Sequence, residues 1–446
     1  MLLKQITVQD IFVSVIIIVL ILFVSSFFKP KKAGAYIVYY QRFILFKILT
    51  AILFVLIHSY YYKGGDTFLY FSGASFFYDQ FVSNPLTYFK LMFSAQNEMA
   101  NISYTTTLAY ALTTSKDVFF LSKIVSIFNI LCLNGYLASS ILYTMITAIG
   151  IWKLYTTMCK IYPSLYKFFA LGILFYPSLG IWGSGILKDP LTLAAVGIIF
   201  SSTYNLIHSK ETFFSVTAIL FSISICFVLK PYILYTFVPI MLLWIQGLIV
   251  GKSKNKLSKY LLTIILLPTF IGGGIVALQQ ISAGAGKYSL QSVQSVAEGF
   301  QSWHTYLAET RDQSGYSLGN VEFTPLGVLQ KAPEAFFVAY FRPFIFSDVR
   351  NVATLFEAIQ TLILLLVSIY VLLKVGIFKC LKIMVSDPNV RSFMLFAIIF
   401  GVTVGLTSYN FGALARYKIP AVPFYTASIS IIYYLGYLKP KKKGYL

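Results

Sequence analysis

The chain has 446 residues, of which 58% are hydrophobic and only 11% are charged, and its mean hydropathy is +0.77. This composition excludes an ordinary soluble domain, in which apolar residues make up about half of the chain and are interrupted every few positions. The formal net charge of +20 would suit a nucleic-acid-binding protein, but such proteins carry their bases in contiguous, exposed arms. Here the bases lie between apolar segments, which excludes nucleic acid and favours membrane lipid as the partner.

The apolar segments run to about 20 residues without the alternation of barrel strands, which predicts an all-α, polytopic transmembrane helical bundle. Residues 1–446 are interpreted as a single transmembrane domain. The first apolar run is followed by Lys29 and has no small-residue cleavage site, so we expect a retained helix. Eleven spans are predicted: Ile11–Phe28, Phe43–Tyr62, Tyr136–Thr156, Phe168–Ile186, Leu191–His208, Phe213–Val228, Tyr232–Val250, Tyr260–Leu278, Thr354–Lys374, Ser392–Tyr409 and Ile419–Leu438.

Basic residues recur in alternate short loops, which is the positive-inside pattern of membrane proteins. These loops are Lys29–Arg42, Lys160–Lys167, Lys210, Lys252–Lys259, Lys374–Arg391 and Lys439–Lys443. In this orientation the Lys-rich C-terminus is cytoplasmic, and every acidic residue except Glu211 and Asp387 lies on the opposite side. The active face is therefore predicted to be the external one.

Two long connections, 63–135 and 279–351, are both predicted to be external, and long loops with aromatic clusters are usually functional. In the first, the aromatic residues between Tyr70 and Phe93 are spaced to give helices with one apolar face that lie along the membrane surface. The second contains a possible helix near Gln291–Glu309 and ends in an interfacial helix that Pro343 stops.

Asp66, in Lys63-Gly64-Gly65-Asp66-Thr67, follows the second predicted span at a point where two glycines allow a tight turn. One interpretation is a general base at the membrane surface, with partial burial raising its pKa. The other, compatible with the first, is an N-cap for a helix over Phe68–Phe77.

The segment Tyr176–Pro190 is rich in glycine and serine, bracketed by prolines, and leads into a span that begins with Lys188 and Asp189. The small residues would let a lipid headgroup approach the backbone, and Lys188 would bind a phosphate oxygen as a point charge. The alternative is a plain helix start, with Asp189 as its cap and the Lys188 side chain extended toward water.

The segment Asn410–Pro420 also opens a predicted span on the external side, where Arg416 and Lys418 are disfavoured unless an anion binds them. Together with Arg342, and with Arg350 and Lys188 as further candidates, they would suit a phosphate or pyrophosphate, for which arginine is the better bidentate ligand. The alternatives are contact with lipid headgroups, or ion pairs with Asp348 and Glu334.

The three histidines are dispersed and the four cysteines show no metal-binding spacing, so no metal site is predicted. Glu357 and Lys47 would indicate a transporter if they paired in mid-membrane, but their predicted depths differ.

The pattern resembles the GT-C superfamily of membrane glycosyltransferases, which includes protein mannosyltransferases and aminoarabinose transferases. Asp66 matches the family's acidic residue in the first long external loop, the turn Pro177–Asp189 looks like the turn that enters a mid-bundle span, and Arg416-Tyr417-Lys418-Ile419-Pro420 resembles an Arg-Tyr-x-x-Pro element. The chain also resembles bacterial envelope proteins with GGDT, LKD and FRPF motifs, which implies a bacterial inner membrane.

The resemblance implies an inverting glycosyltransferase in which Asp66 is the catalytic base. Its donor would be a polyprenyl-phosphate sugar, and its acceptor an envelope glycan, lipid or protein. The residues expected at the donor phosphate are Lys188, Asp189, Arg342, Arg416, Tyr417 and Lys418. No redox cofactor is needed, and a requirement for a divalent cation stays open.

Three other functions remain. One is a polysaccharide polymerase of the O-antigen type, which also uses external loops and arginines. Another is a flippase or transporter of a lipid-linked saccharide, which would place charges along a mid-membrane path and contain broken helices. The last is a structural scaffold, which predicts no convergence of Asp66 with the basic residues.

Overall fold

A computed structural model describes residues 6–30, 34–96, 107–208, 211–252, 314–319, 321–322 and 324–439, with isolated positions between 255 and 306. Within these ranges the chain is helical, and the extended structure is one isolated bridge between Gly315 and Asn410. The all-α prediction is confirmed.

Eighteen helices are used below, numbered in chain order. The first twelve are α1 Val8–Phe27, α2 Tyr40–Leu56, α3 Asp66–Ser83, α4 Pro85–Phe93, α5 Thr107–Thr114, α6 Lys116–Leu131, α7 Tyr136–Ile161, α8 Tyr166–Phe169, α9 Pro177–Trp182, α10 Lys188–Ile207, α11 Thr212–Leu229 and α12 Pro231–Lys252. After the sparsely described segment come α13 Pro325–Phe341, α14 Val352–Val375, α15 Ile377–Ser386, α16 Pro388–Thr407, α17 Phe411–Tyr417 and α18 Val422–Tyr433.

Eight helices in the described ranges are long and apolar enough to cross a membrane, or nine if the bent pair Phe411–Tyr417 and Val422–Leu438 counts as one span. The chain is therefore an integral membrane protein. The eight correspond to eight of the predicted spans, and the arms of the bent pair, inclined by 69°, overlap a ninth. The predicted span Tyr260–Leu278 lies almost wholly outside the described residues.

The predicted span Phe168–Ile186 is not a continuous helix. A distorted helical segment, Pro163–Leu174, ends before Pro177, and α9 then runs for only six residues. Proline lacks the N–H that would continue a preceding helix, and Gly185 has φ +70°, a left-handed conformation that ends helical geometry. The apolar composition predicts the environment of this stretch but not the interruption of its backbone.

The chain forms two compact units. The first comprises Met1–Thr157, Leu174–Thr203 and Thr212–Lys230, and the second comprises Met158–Ile173, Tyr204–Glu211 and Pro231–Leu446. The division falls inside α7 and α10.

In the first unit, the long predicted loop is folded into α3 to α6, and α3 packs against α6 along its length. The buried residues of α3 include Phe68, Phe71 and Phe77, and the predicted position of this helix along the membrane surface stays a prediction. The N-terminus of α7 is capped from α1: the Asp10 carboxylate accepts hydrogen bonds from the N–H groups of Leu137 and Ala138 at 2.9 and 3.0 Å. A carboxylate there satisfies otherwise unpaired donors and the positive helix end.

In the second unit, α16 is the central helix and packs against α12, α13, α15 and α18. The core contains aromatic residues in edge-to-face contact, such as Phe237 with Phe396 at 5.0 Å between ring centroids. The predicted helix before Pro343 is present as α13, which ends at Phe341, and its interfacial position stays a prediction. The possible helix near Gln291–Glu309 lies mostly outside the described residues.

Candidate functional site

Five ionisable residues of the first unit form a group that we call the charged cluster: Asp66, Asp117, Lys188, Asp189 and Lys230. They lie at helix ends, on α3, α6, α10 and the junction of α11 with α12. The sequence predicted three members, and Asp117 and Lys230 were missed.

Asp66 is the exposed member of the charged cluster. The α2 helix continues as a π-helical turn through Tyr61, the chain reverses through Lys63 and Gly65, which both have positive φ, and α3 begins at Asp66. The predicted N-cap role is wrong by one residue, because Gly65 occupies that position. The predicted partial burial is also wrong. The carboxylate instead sits in the first turn of an 18-residue helix, whose positive end favours an anion.

Lys188 is the first residue of α10, and its ammonium pairs with the Asp117 carboxylate on α6. The same ammonium lies 5.3 Å from the centroid of the Tyr70 ring, within the range of a cation–π contact. Asp66 also acts electrostatically on Lys188. The alternative in which Lys188 extends toward water is therefore wrong, because α6 supplies a partner from 71 positions earlier in the chain.

Asp189 and Lys230 form the most deeply buried pair of the charged cluster. The Lys230 ammonium lies 2.6 Å from the Asp189 carboxylate, and their side chains are 9% and 1% exposed. The predicted cap role of Asp189 is wrong, since α10 begins one residue earlier and the carboxylate bonds to Lys230. Lys230 carries a signal that was available in the sequence: it is a base in a predicted external turn, as Arg416 is.

The charged cluster contains three carboxylates and two ammonium groups, so its formal charge is −1. Lys188 is already neutralised by Asp117, and Lys230 by Asp189. A phosphate bound to Lys188 would share the ammonium with Asp117 or displace it. Of the three carboxylates, only that of Asp66 is exposed.

The remaining predicted residues lie in the second unit, and two of them are already in ion pairs. Arg342 binds Asp348 in the bidentate geometry, with Nε–Oδ2 and Nη2–Oδ1 distances of 2.8 and 2.6 Å. The alternative of pairing with Asp348 is thus confirmed, whereas Glu334 pairs with Lys331 at 3.1 Å.

The Asp348 carboxylate accepts hydrogen bonds from more than one residue, since the Phe344 N–H also donates to it at 2.8 Å. Burial raises the pKa of Asp348, but the hydrogen bonds from Arg342 and Phe344 outweigh burial and hold the pKa below its ordinary value.

Lys418 pairs with Glu357 on α14 at 2.7 Å, with both side chains at most 5% exposed. A phosphate at Lys418, as predicted from the sequence, would therefore compete with the buried carboxylate of Glu357. Arg416 and Tyr417 are half-buried in the last turn of α17, and the Arg416 guanidinium lies 5.9 Å from the centroid of the Tyr417 ring.

Lys47 and Glu357, considered together from the sequence, do not pair. The Lys47 ammonium donates to oxygens of Gly180, Gly183 and Ser184 instead. Across the described residues, no group of three or more histidine, cysteine or acidic side chains could hold a metal ion.

Comparisons with protein-family models, with curated proteins and with solved structures give no match for this chain. A functional assignment therefore depends on the chemistry of the charged cluster and of the second unit's basic residues.

Proposed function

We propose that this protein is an integral membrane glycosyltransferase that moves a sugar from a polyprenyl-phosphate donor to an acceptor hydroxyl at the non-cytoplasmic face of a bacterial inner membrane. The observation that carries the proposal is the position of Asp66. It is an exposed carboxylate at the first turn of a helix that starts directly after a span, and it acts electrostatically on the ammonium of Lys188.

In the proposed reaction, the Asp66 carboxylate accepts the proton of the acceptor hydroxyl. The acceptor oxygen forms a bond to the anomeric carbon of the sugar. The bond between that carbon and the phosphate oxygen breaks, and polyprenyl phosphate leaves with the electron pair. One base suffices for this inverting step, and the developing phosphate charge is stabilised by nearby cations.

Lys188 is the proposed cation of the charged cluster for the leaving phosphate. Because Asp117 already neutralises it, we propose that the donor phosphate displaces Asp117 as the partner of the Lys188 ammonium. An exchange between two anions keeps the lysine paired at each stage, which avoids an isolated charge in a largely apolar environment.

A test compares Asp66→Asn with Asp79→Asn, the same substitution at an exposed aspartate farther along α3. Purified protein in liposomes is supplied with polyprenyl-phosphate glucose or mannose, tritiated in the sugar, and with a bacterial envelope extract as the source of acceptor; the transfer of label to the acceptor and the release of polyprenyl phosphate are measured. Loss of a general base lowers rates by about 10²- to 10⁴-fold, so Asp66→Asn should lose turnover while still retaining donor on the protein. Asp79→Asn should keep the wild-type rate. Equal rates in the two variants would remove Asp66 as the base.

A flippase or transporter of the same lipid is the second candidate, and one observation favours it. Helices are interrupted before and after α9, and discontinuous helices commonly line the binding sites of transporters. Such a protein would move the lipid across the liposome membrane without breaking the sugar–phosphate bond. A polysaccharide polymerase would instead use a pyrophosphate-linked donor. A transferase therefore releases polyprenyl phosphate, a polymerase releases polyprenyl pyrophosphate, and a flippase releases neither lipid.

A further inference from the structure

Lys47 is a buried lysine in the middle of a membrane-crossing helix. It lies within the span Ala35–Tyr61 and is 1% exposed. A charged side chain at such a depth is costly unless specific partners bind it, and intramembrane ionisable residues are usually functional for that reason. The charged cluster does not include Lys47.

The partners of Lys47 are oxygens at the C-terminal end of α9. Its Nζ lies 2.6 Å from the Gly183 carbonyl oxygen, 2.8 Å from Ser184 Oγ and 3.4 Å from the Gly180 carbonyl oxygen. An ammonium has three N–H donors, so this set accounts for all of them. Carbonyls at the end of a helix lack intrahelical donors and carry the negative end of its dipole, which favours a cation.

The hydroxyl groups around the ammonium are themselves arranged by hydrogen bonds. Ser184 Oγ donates to the Gly180 carbonyl at 2.6 Å, which turns its lone pairs toward Lys47. Thr50 Oγ1 lies 3.1 Å from Ser184 Oγ and extends the group of oxygens. We call Gly180 O, Gly183 O, Ser184 Oγ and Thr50 Oγ1 the oxygen cradle. Neutral oxygens at a broken helix end are a ligand set for small monovalent cations in membrane proteins.

The turn that follows α9 is held from its other side by α7. The Gly185 N–H donates to Thr144 Oγ1 at 2.8 Å, and the Tyr143 hydroxyl donates to the Leu187 carbonyl at 2.7 Å. This turn, residues 183–187, leads directly into α10 and Lys188. Its geometry is therefore set jointly by hydroxyl groups of α7 and by the side-chain nitrogen of Lys47 on α2.

We propose that the oxygen cradle is a monovalent-cation site whose resident ion is the ammonium of Lys47, and that this tethered cation holds the 183–187 turn in place. The ligand class of the site is a primary ammonium ion. The inference is independent of the glycosyltransferase proposal, because it concerns what occupies the end of α9 and not which reaction follows.

The test is hydrogen–deuterium exchange of the intact protein in lipid nanodiscs, followed at the amides of residues 183–187. In Lys47→Ala, which removes the side chain from Cγ to Nζ, exchange should become about tenfold faster or more, because local opening is no longer opposed by the ammonium. Propylammonium has the same atoms as the removed segment and should restore slow exchange. Tetramethylammonium carries the charge but has no N–H donor, and it should not restore it. Lys153→Ala, at an exposed lysine of α7, is the matched control.

Lys47→Met separates charge from volume, since methionine refills the apolar part of the space. Wild-type exchange in Lys47→Met would overturn the proposal, as would a failure of propylammonium to protect Lys47→Ala. If Lys47→Ala does not accumulate as folded protein, Ser184→Ala keeps the charge but removes one oxygen of the cradle. In Ser184→Ala, faster exchange at residues 183–187 supports the proposal that the oxygen cradle binds the Lys47 ammonium. Unchanged exchange overturns that proposal.

Discussion

Removal of the Lys230 ammonium should destabilise the first unit strongly. In Lys230→Met the Asp189 carboxylate, whose side chain is 1% exposed, loses the partner that lies 2.6 Å away. Breaking a buried ion pair from one side costs about 3–5 kcal/mol, because the remaining buried charge has lost its oppositely charged partner. Methionine has nearly the length of the lysine stem, so the loss of packing contributes little. We therefore expect the free energy of unfolding to fall by about 3–5 kcal/mol.

The measurement is unfolding in mixed micelles by titration with sodium dodecyl sulfate, followed by circular dichroism. The double variant Lys230→Met/Asp189→Asn removes both charges and should recover about half of the loss, since a neutral buried amide costs only about 1–3 kcal/mol. Lys153→Met controls for the change in net charge at an exposed position. A loss below about 1 kcal/mol in Lys230→Met, the range of an exposed pair, would refute the reasoning, and so would a double variant no more stable than the single one.

Three further predictions concern other parts of the chain. Gly185→Ala should lower the melting temperature measured by light scattering, because a Cβ at φ +70° would lie 2.0 Å from a ring atom of Phe54 and overpacking costs about 1–3 kcal/mol. Since the pKa of Asp348 is held below its ordinary value of 3.8, its pair with Arg342 stabilises the protein above that pH. The contribution is lost as pH falls further, so wild type but not Asp348→Asn should show the corresponding acid-side decline in an unfolding titration. Asp117→Asn should strengthen the binding of radiolabelled polyprenyl phosphate to the immobilised protein in detergent micelles, because the competing carboxylate is gone; unchanged or weaker binding would contradict the exchange of partners.

The spans could be predicted because membrane insertion selects for composition, and composition is local. A stretch such as Val352–Val375 needs no knowledge of its neighbours to be identified as a helix that crosses a membrane. Hydropathy also predicts one continuous span over Phe168–Ile186, and this prediction is wrong because Pro177 and Gly185 interrupt the helix. Hydropathy reports the environment of a segment and not the continuity of its backbone hydrogen bonds.

The candidate site could be predicted only as a set of charges in unusual places. Asp66, Lys188 and Asp189 stood out because ionisable groups are rare beside spans, and the structure brings them into the charged cluster. Lys230 would have been found by applying the same rule to the turn before Pro231. Asp117 had no such signal, because it lies in a polar stretch of a long loop.

The sequence by itself determined the class of the protein, the approximate positions of its spans and the residues able to carry chemistry. Only the tertiary structure decided the partner of each charge. Lys188 pairs with Asp117, 71 positions away, and Lys47 binds the end of α9, 133 to 137 positions away. The physical reason is that a charge in an apolar environment must be compensated within hydrogen-bonding distance, and that distance is set by helix packing, which no local pattern encodes.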